Sequence, residues 1–232
     1  MHEFFPFVVV GFIALAIVLA VFGHLAAKKR REALAAFAAE IGWDFDPSSR
    51  THDSMLAPFE QFQRGHSRRA FNTLSGTLEA RGFECDAQAG DFLYKRTSGS
   101  GKNRRTTTYR FSYLVLDLPF RSVPDLLIRR EGLFDKLTSV LGFDDIDFES
   151  EEFSRKFFVK SRDRKFAYDL VDPRMMEFLL ATRPPRIDLE AGFLCMTDGS
   201  SRWEPNQFGR QFETAREFLD RWPAHLVDRL ES

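Results

Sequence analysis

The chain has 232 residues, of which 44% are hydrophobic and 29% are charged, and its formal net charge is -1. Its 26 phenylalanines carry too much apolar surface for a disordered protein, and a nearly neutral chain has no electrostatic basis for general nucleic-acid binding. These properties predict a packed domain and exclude a polybasic nucleic-acid-binding protein.

The chain opens with an apolar run from Phe4 to Ala27. As a helix this run would extend about 36 Å, more than the ~30 Å hydrocarbon core of a bilayer, so it predicts a single transmembrane helix. The alternative is a cleaved signal peptide, which requires a cationic start and small residues at a cleavage site, and the chain has neither. Four cations follow the run: Lys28, Lys29, Arg30 and Arg31.

Cations beside a membrane span are retained on the cytoplasmic side, so we expect the N-terminus outside and the remaining chain inside. The predicted domains are a transmembrane helix over 4–27, a juxtamembrane helix and linker over 28–62, and a cytoplasmic α+β domain over 63–232. In that reducing compartment Cys85 and Cys195 should be buried thiols and not a disulfide. Small residues four apart in the span would permit homo-oligomerisation, although such spacings are frequent by chance.

After the cations, helical periodicity continues to Ile41 and should end at Gly42. Asp46–Ser49 is typical of a turn, and a short helix is expected between Asp53 and Phe62. Strands are then predicted over 72–81, 83–88 and 91–96, with a clearer one from Thr106 to Leu118. In this last strand Tyr109, Phe111, Tyr113 and Val115 should share one face.

A basic hairpin tip, from Lys95 to Arg105, joins the last two of these strands. Its Gly101-Lys102 pair resembles a phosphate-binding loop, but Arg96 and Asn103 occupy positions where that motif requires Gly and Ser or Thr. The tip and the cations after the apolar run are candidate contacts for anionic headgroups or an acidic protein partner, and ordinary solvated surface is the alternative. These candidates are Lys28, Lys29, Arg30, Arg31, Lys102, Arg104 and Arg105.

The second half alternates short strands and helices. The patterns predict strands over Asp125–Arg130 and Phe153–Lys160, a helix from Leu133 to Leu141, and a helix over 166–180 that Pro173 interrupts. A hairpin should turn at Ala191-Gly192, and a final helix from Phe208 to Trp222 should end at Pro223. The fold class is therefore α+β, with a mainly antiparallel sheet and packed helices behind one transmembrane helix.

Carboxylates cluster in the segment 144–152, where they could bind a metal ion or perform acid–base chemistry. The spacing does not match a calcium-binding EF-hand loop, because Glu149 or Ser150 occupies the position that requires Gly. The five histidines are dispersed, and no recognised catalytic motif is present. We therefore assign no catalytic residue, no metal ligand and no cofactor.

A resemblance is visible in several patches of core residues. They are Ala39-Glu40-Ile41-Gly42-Trp43, Asp144-Asp145-Ile146-Asp147-Phe148, Phe153-Ser154-Arg155-Lys156-Phe157-Phe158-Val159, and Asp163, Ala167, Asp172-Pro173 and Met176. In their order the chain resembles a family of bacterial membrane-anchored proteins whose domain has no assigned function. The resemblance implies a bacterial origin and an α+β domain, and it transfers no catalytic or ligand residue. With the predicted transmembrane helix, the expected location is the bacterial inner membrane.

Two functions of different class follow from the sequence. The first is a non-enzymatic, membrane-tethered binding or scaffolding module. The alternative is a membrane-attached hydrolase or metal-dependent enzyme that uses the acidic segment 144–152.

Overall fold

The computed structural model describes residues 4–120, 122–131 and 146–231, with the side chains of the first helix described at Gly11 and from Ile13 onward. The helices are α1 (Phe4–Glu40), α2 (Glu60–Gln63), α3 (Glu151–Lys156), α4 (Arg164–Leu170), α5 (Pro173–Thr182), α6 (Pro205–Asp220) and α7 (Ala224–Glu231). The strands are β1 (Asp44–Arg50), β2 (His66–Ala80), β3 (Phe83–Ser98), β4 (Arg105–Asp117), β5 (Leu126–Arg130), β6 (Phe157–Ser161), β7 (Arg186–Glu190) and β8 (Phe193–Thr197).

The strands form one eight-stranded sheet in the order β1-β2-β3-β4-β8-β7-β5-β6. Every neighbouring pair is antiparallel, which confirms the predicted antiparallel α+β architecture. The β7–β8 hairpin turns at Ala191 and Gly192, both of which have positive φ as a tight two-residue turn requires.

β4 separates the two cores of the protein. Phe111, Tyr113 and Val115 face a smaller cluster under the segment Leu56–Phe62. Leu114 and Leu116 face the main core, where the helices pack. This outcome confirms the alternation predicted from Thr106 to Leu118.

The second half of α1 packs into the main core. Leu34 and Ala38 are buried there, and the Phe37 ring lies 6.0 Å from that of Phe212 on α6. The chain then turns at Gly42, whose φ of +74° favours glycine, and the Trp43 ring stacks on Phe212 at 4.7 Å. This part of α1 therefore belongs to the folded domain.

The predicted transmembrane helix is wrong. Among the residues that the structure describes, none of the helices combines the length and the uninterrupted apolar sequence that crossing a bilayer demands. Within α1 itself, Arg30 is held inside the folded domain by Asp91. The single-pass architecture and the membrane and transmembrane assignments are therefore corrected, and the compartment of the domain stays a prediction.

Three local predictions also differ from the structure. Asp46–Ser49 is a bulge within β1 and not a turn, because the pairing with β2 resumes after it. β3 runs unbroken through Gly90, where the backbone of bulged β2 approaches so closely that a Cβ would lie 3.1 Å from the Asn72 carbonyl oxygen. The start of the predicted strand Phe153–Lys160 is helical, because the Ser150 hydroxyl accepts a hydrogen bond from the Phe153 amide and caps α3.

The helix breaks predicted at Pro173 and Pro223 are confirmed. Pro173 begins α5, and the chain breaks at Pro223 between α6 and α7. The predicted helix from Leu133 to Leu141 lies outside the described residues.

Candidate functional site

A buried ion pair anchors α1 to the sheet. The Arg30 guanidinium donates to both carboxylate oxygens of Asp91 on β3, at 2.7 and 2.6 Å, and also to the Trp203 carbonyl oxygen at 3.0 Å. The Arg30 side chain is 9% exposed and that of Asp91 is fully buried. Asn72 and Ser112 donate to the same carboxylate at 3.0 and 2.8 Å, so Asp91 is satisfied on all sides.

Beside this pair, α1 and the helix-facing side of β1–β4 enclose a cleft of about 1190 Å³. Its volume is slightly above the ~300–1,000 Å³ of common ligand pockets. In addition to Arg30, five exposed cations line it: Lys29, Arg31, Arg69, Arg110 and Arg202. Glu204 is the one carboxylate that we find among its lining residues. We call this feature the basic cleft.

The strand register explains why the strand cations meet. Arg69 on β2 lies opposite Leu93 on β3, and Leu93 lies opposite Arg110 on β4. The two arginines therefore flank one leucine on the same face, with their backbones about 10 Å apart. Arg202 is held nearby because both of its chain neighbours are hydrogen-bonded to Ser112. The Ser112 amide donates to the Ser201 carbonyl oxygen, and the Ser112 hydroxyl accepts from the Trp203 amide.

On the N-terminal side of the basic cleft, α1 presents apolar side chains to solvent. They are 47–67% exposed and point in all directions around the helix. We call them the apolar segment: Ile13, Leu15, Ile17, Val18, Leu19, Val21, Phe22 and Leu25. A contiguous exposed apolar surface normally marks an interaction site.

The predicted anionic-contact residues separate into three groups. Lys29 and Arg31 line the basic cleft, whereas Arg30 is occupied by Asp91. Lys28 lies outside the cleft, with its ammonium 3.8 Å from Glu32. The hairpin cations Lys102, Arg104 and Arg105 are exposed at the end of the β3–β4 hairpin. Along β4, Arg105 lies about 17 Å from Arg110, which lines the basic cleft.

Sequence reasoning missed Arg69, Arg110 and Arg202. The alternation in β4 did put Arg110 on the same face as Ser112, which was a usable signal. No such sequence signal marks Arg69, because the period-two pattern of β2 is broken by register shifts between His66 and Arg69 and between Phe71 and Leu74. Arg202 lies in a loop between β8 and α6, and only contacts with β4 bring it to the cleft.

The acidic segment forms no site among the described residues. Glu152 receives a hydrogen bond from Lys156 at 2.6 Å, which lowers the pKa of Glu152. In the part of the chain that the structure describes, no group of three or more His, Cys, Asp or Glu side chains could hold a metal ion. Asp144 and Asp145 lie outside that part, so the metal-dependent alternative stays an untested prediction.

Buried nucleophilic groups are held in their protonated forms. Cys85 and Cys195 are free and buried, as predicted. Burial raises the pKa of Cys85 to about 12, and burial also raises the pKa of Cys195. Burial, with a contribution from Asp53, raises the pKa of Tyr113 as well. None of these groups is therefore activated as a nucleophile near neutral pH.

Comparison of the sequence with models of protein families and with curated proteins finds no match. Among solved structures, the chain is similar to the crystal structure of a mycobacterial protein, the trehalose monomycolate transport factor A, TtfA. The TM-score is 0.51 at 12% identity, over 83% of this chain and 96% of that one. At that identity the likeness shows a shared fold.

Proposed function

We propose that this protein is a non-catalytic binding module that acts as an accessory factor in a transport process. The observation that carries the proposal is the apolar segment of α1, which is exposed on every side and stands next to the basic cleft. A helix that is apolar all round is normally covered all round. The occupant that we propose is an apolar surface of a transport protein.

Two further observations support a binding role over a catalytic one. The buried thiols and Tyr113 have raised pKa values, and the described carboxylates form no metal-binding cluster. The structural neighbour is named as a transport factor, and from it we take the class of process. The exposed apolar side chains of α1 support an apolar surface as the partner.

A photo-crosslinking amino acid at Leu19 tests this proposal in cells that produce the full chain. Leu19 is 63% exposed at the centre of the apolar segment. Glu84 is the matched control, because it is also exposed but lies on another element, at the start of β3. We expect a discrete adduct with a transport protein from Leu19 and none from Glu84.

Adducts between two copies of the chain would replace the proposed partner by a homodimer and contradict the proposal. Identical adducts from Leu19 and Glu84, or no adduct from either, would contradict it too. Leu19→Ser and Phe22→Ser should each weaken the adduct formed from a crosslinker at Ile17. Neither substitution should lower the free energy of unfolding by more than about 0.5 kcal/mol, because exposed side chains contribute little to stability.

A further inference from the structure

The basic cleft carries a charge that the described part of the protein does not neutralise. Its five exposed cations and one carboxylate leave a net charge of +4, since 5 minus 1 is 4. The Arg30–Asp91 pair at its base is internally neutral. The cleft is thus a cationic concavity in a chain whose overall formal charge is -1.

Within the described part of the chain, the five cations also have no protein partners. Within the described residues, none of Lys29, Arg31, Arg69, Arg110 and Arg202 forms a side-chain hydrogen bond or an ion pair. Other surface arginines behave differently, since Arg50, Arg64 and Arg216 each pair with a nearby carboxylate. Like charges held close together repel each other, so an anionic ligand would relieve the repulsion in the cleft.

Rigid elements hold these cations in position. Arg69 and Arg110 project from paired strands on either side of Leu93, and the backbone around Arg202 is hydrogen-bonded to Ser112. The Arg30–Asp91 pair fixes α1, and with it Lys29 and Arg31, above the strands. Such a site is preorganised, so binding would cost little reordering of the backbone.

We propose that the basic cleft binds a phosphate group, with Arg69, Arg110 and Arg202 as its principal ligands. Three guanidinium groups favour phosphate because their planar N–H pairs match two phosphate oxygens at once. Lys29 and Arg31 contribute charge from the opposite wall. The phosphate can belong to a lipid headgroup or to a small soluble phosphate.

A pair of charge-matched triple variants tests this site. The cleft variant carries Arg69→Ser, Arg110→Ser and Arg202→Ser, and the tip variant carries Lys102→Ser, Arg104→Ser and Arg105→Ser. Each removes three positive charges from exposed positions, so the two share the same change in net charge. Unfolding midpoints equal to that of the unsubstituted chain would establish that both variants fold.

Binding is measured with two probes, inorganic phosphate by calorimetry and phosphatidic acid in phosphatidylcholine vesicles by co-flotation. We expect the full chain to bind at least one probe, the cleft variant to bind it roughly tenfold more weakly or worse, and the tip variant to change affinity less than about twofold. Binding of vesicles alone assigns the phosphate to a lipid, and binding of inorganic phosphate alone assigns it to a soluble ligand. Competition between the two probes would place both at the same site. Replacing the three arginines by lysine should give an intermediate loss, because lysine keeps the charge but not the paired geometry.

Equal losses in the cleft and tip variants would overturn the proposal, because they would indicate long-range electrostatics and not a site. Binding of neither probe by the full chain would overturn it as well. The result is independent of the proposed accessory role, since the Leu19 crosslink reports on the apolar segment and these variants leave that segment intact.

Discussion

Arg30 and Lys29 are neighbours in one cationic run but have different roles. The Arg30 guanidinium is buried against Asp91, whereas Lys29 remains exposed in the basic cleft. Nothing in the run distinguishes them, since their difference comes from which side of α1 faces the sheet. A cation in a sequence motif can therefore be a structural anchor and not a ligand-binding group.

We predict that Asp91→Asn lowers the free energy of unfolding by about 3 kcal/mol, because it leaves the Arg30 charge buried without a counter-ion. Urea denaturation of the full chain measures this loss. Asp46→Asn is the matched control, since Asp46 pairs with Arg50 at the surface and should cost less than about 1 kcal/mol. Equal effects at the two sites would show that the buried pair does not anchor α1.

Alkaline pH should destabilise the protein. The thiol of Cys85, with a pKa raised to about 12, keeps its proton in the folded state, and burial raises the pKa values of Cys195 and Tyr113 too. In the unfolded chain these groups ionise near their ordinary values of about 8.5 for thiols and 10 for tyrosine. The folded state then binds more protons than the unfolded state, so stability is full below pH ~8 and falls as the pH rises towards 12.

Urea midpoints between pH 7 and pH 11 measure this decline. Ellman's reagent provides a second readout at pH 8, where neither thiol should react until the chain unfolds. A midpoint that stays constant to pH 11, or rapid reaction of the folded protein, would contradict the prediction.

At the scale of elements, the strongest local patterns gave correct predictions. The alternation in β4, the turn at Ala191-Gly192 and the breaks at Pro173 and Pro223 are all confirmed. Each rests on a constraint within a few residues, such as a positive φ or a proline ring. The errors at β1, at Gly90 and at Phe153 arise where a partner strand or a cap overrides the pattern.

Gly209→Ala should stabilise the protein by about 0.5–1 kcal/mol. Gly209 lies inside α6, where alanine is the better helix former. A Cβ there would lie 3.8 Å from the Phe37 ring, an ordinary contact. Thermal denaturation should show a higher Tm, and an unchanged or lower Tm would mean that α1 and α6 pack more tightly than the structure indicates.

Gly76→Ala should have the opposite effect. Its Cβ would lie 2.5 Å from the Trp43 indole, which stacks on Phe212 and has little room to move. We expect a loss of about 1–3 kcal/mol from overpacking, measured by urea denaturation. Ser75→Ala, one residue away on β2, is the control and should be nearly neutral.

At the scale of the whole molecule, α1 is one helix whose two halves lie in different environments. Its second half is core, because Leu34 and Ala38 are buried, and its first half extends the apolar segment into solvent. The predicted domain boundary at residue 28 does not coincide with an element boundary. The buried contacts instead begin at Arg30.

Two truncations follow from this division. A chain that begins at Lys28 should keep the stability of the full chain, because the described side chains before it are exposed. A chain that begins at Ala33 loses Arg30. Its free energy of unfolding should fall by about 3 kcal/mol or more, so it should unfold at a lower urea concentration. Equal midpoints for the two truncations would mean that the Arg30–Asp91 pair contributes nothing to holding the sheet and helix together.

The sequence alone determined the antiparallel α+β class, the free buried thiols, the principal turns and the exposed basic hairpin. These depend on spacing along the chain, which the residues themselves carry. The tertiary structure decided what α1 does, which cations form the basic cleft and which one is buried. Those outcomes depend on strand register, on bulges in β2 and on a contact between residues 61 positions apart, and no local pattern records them.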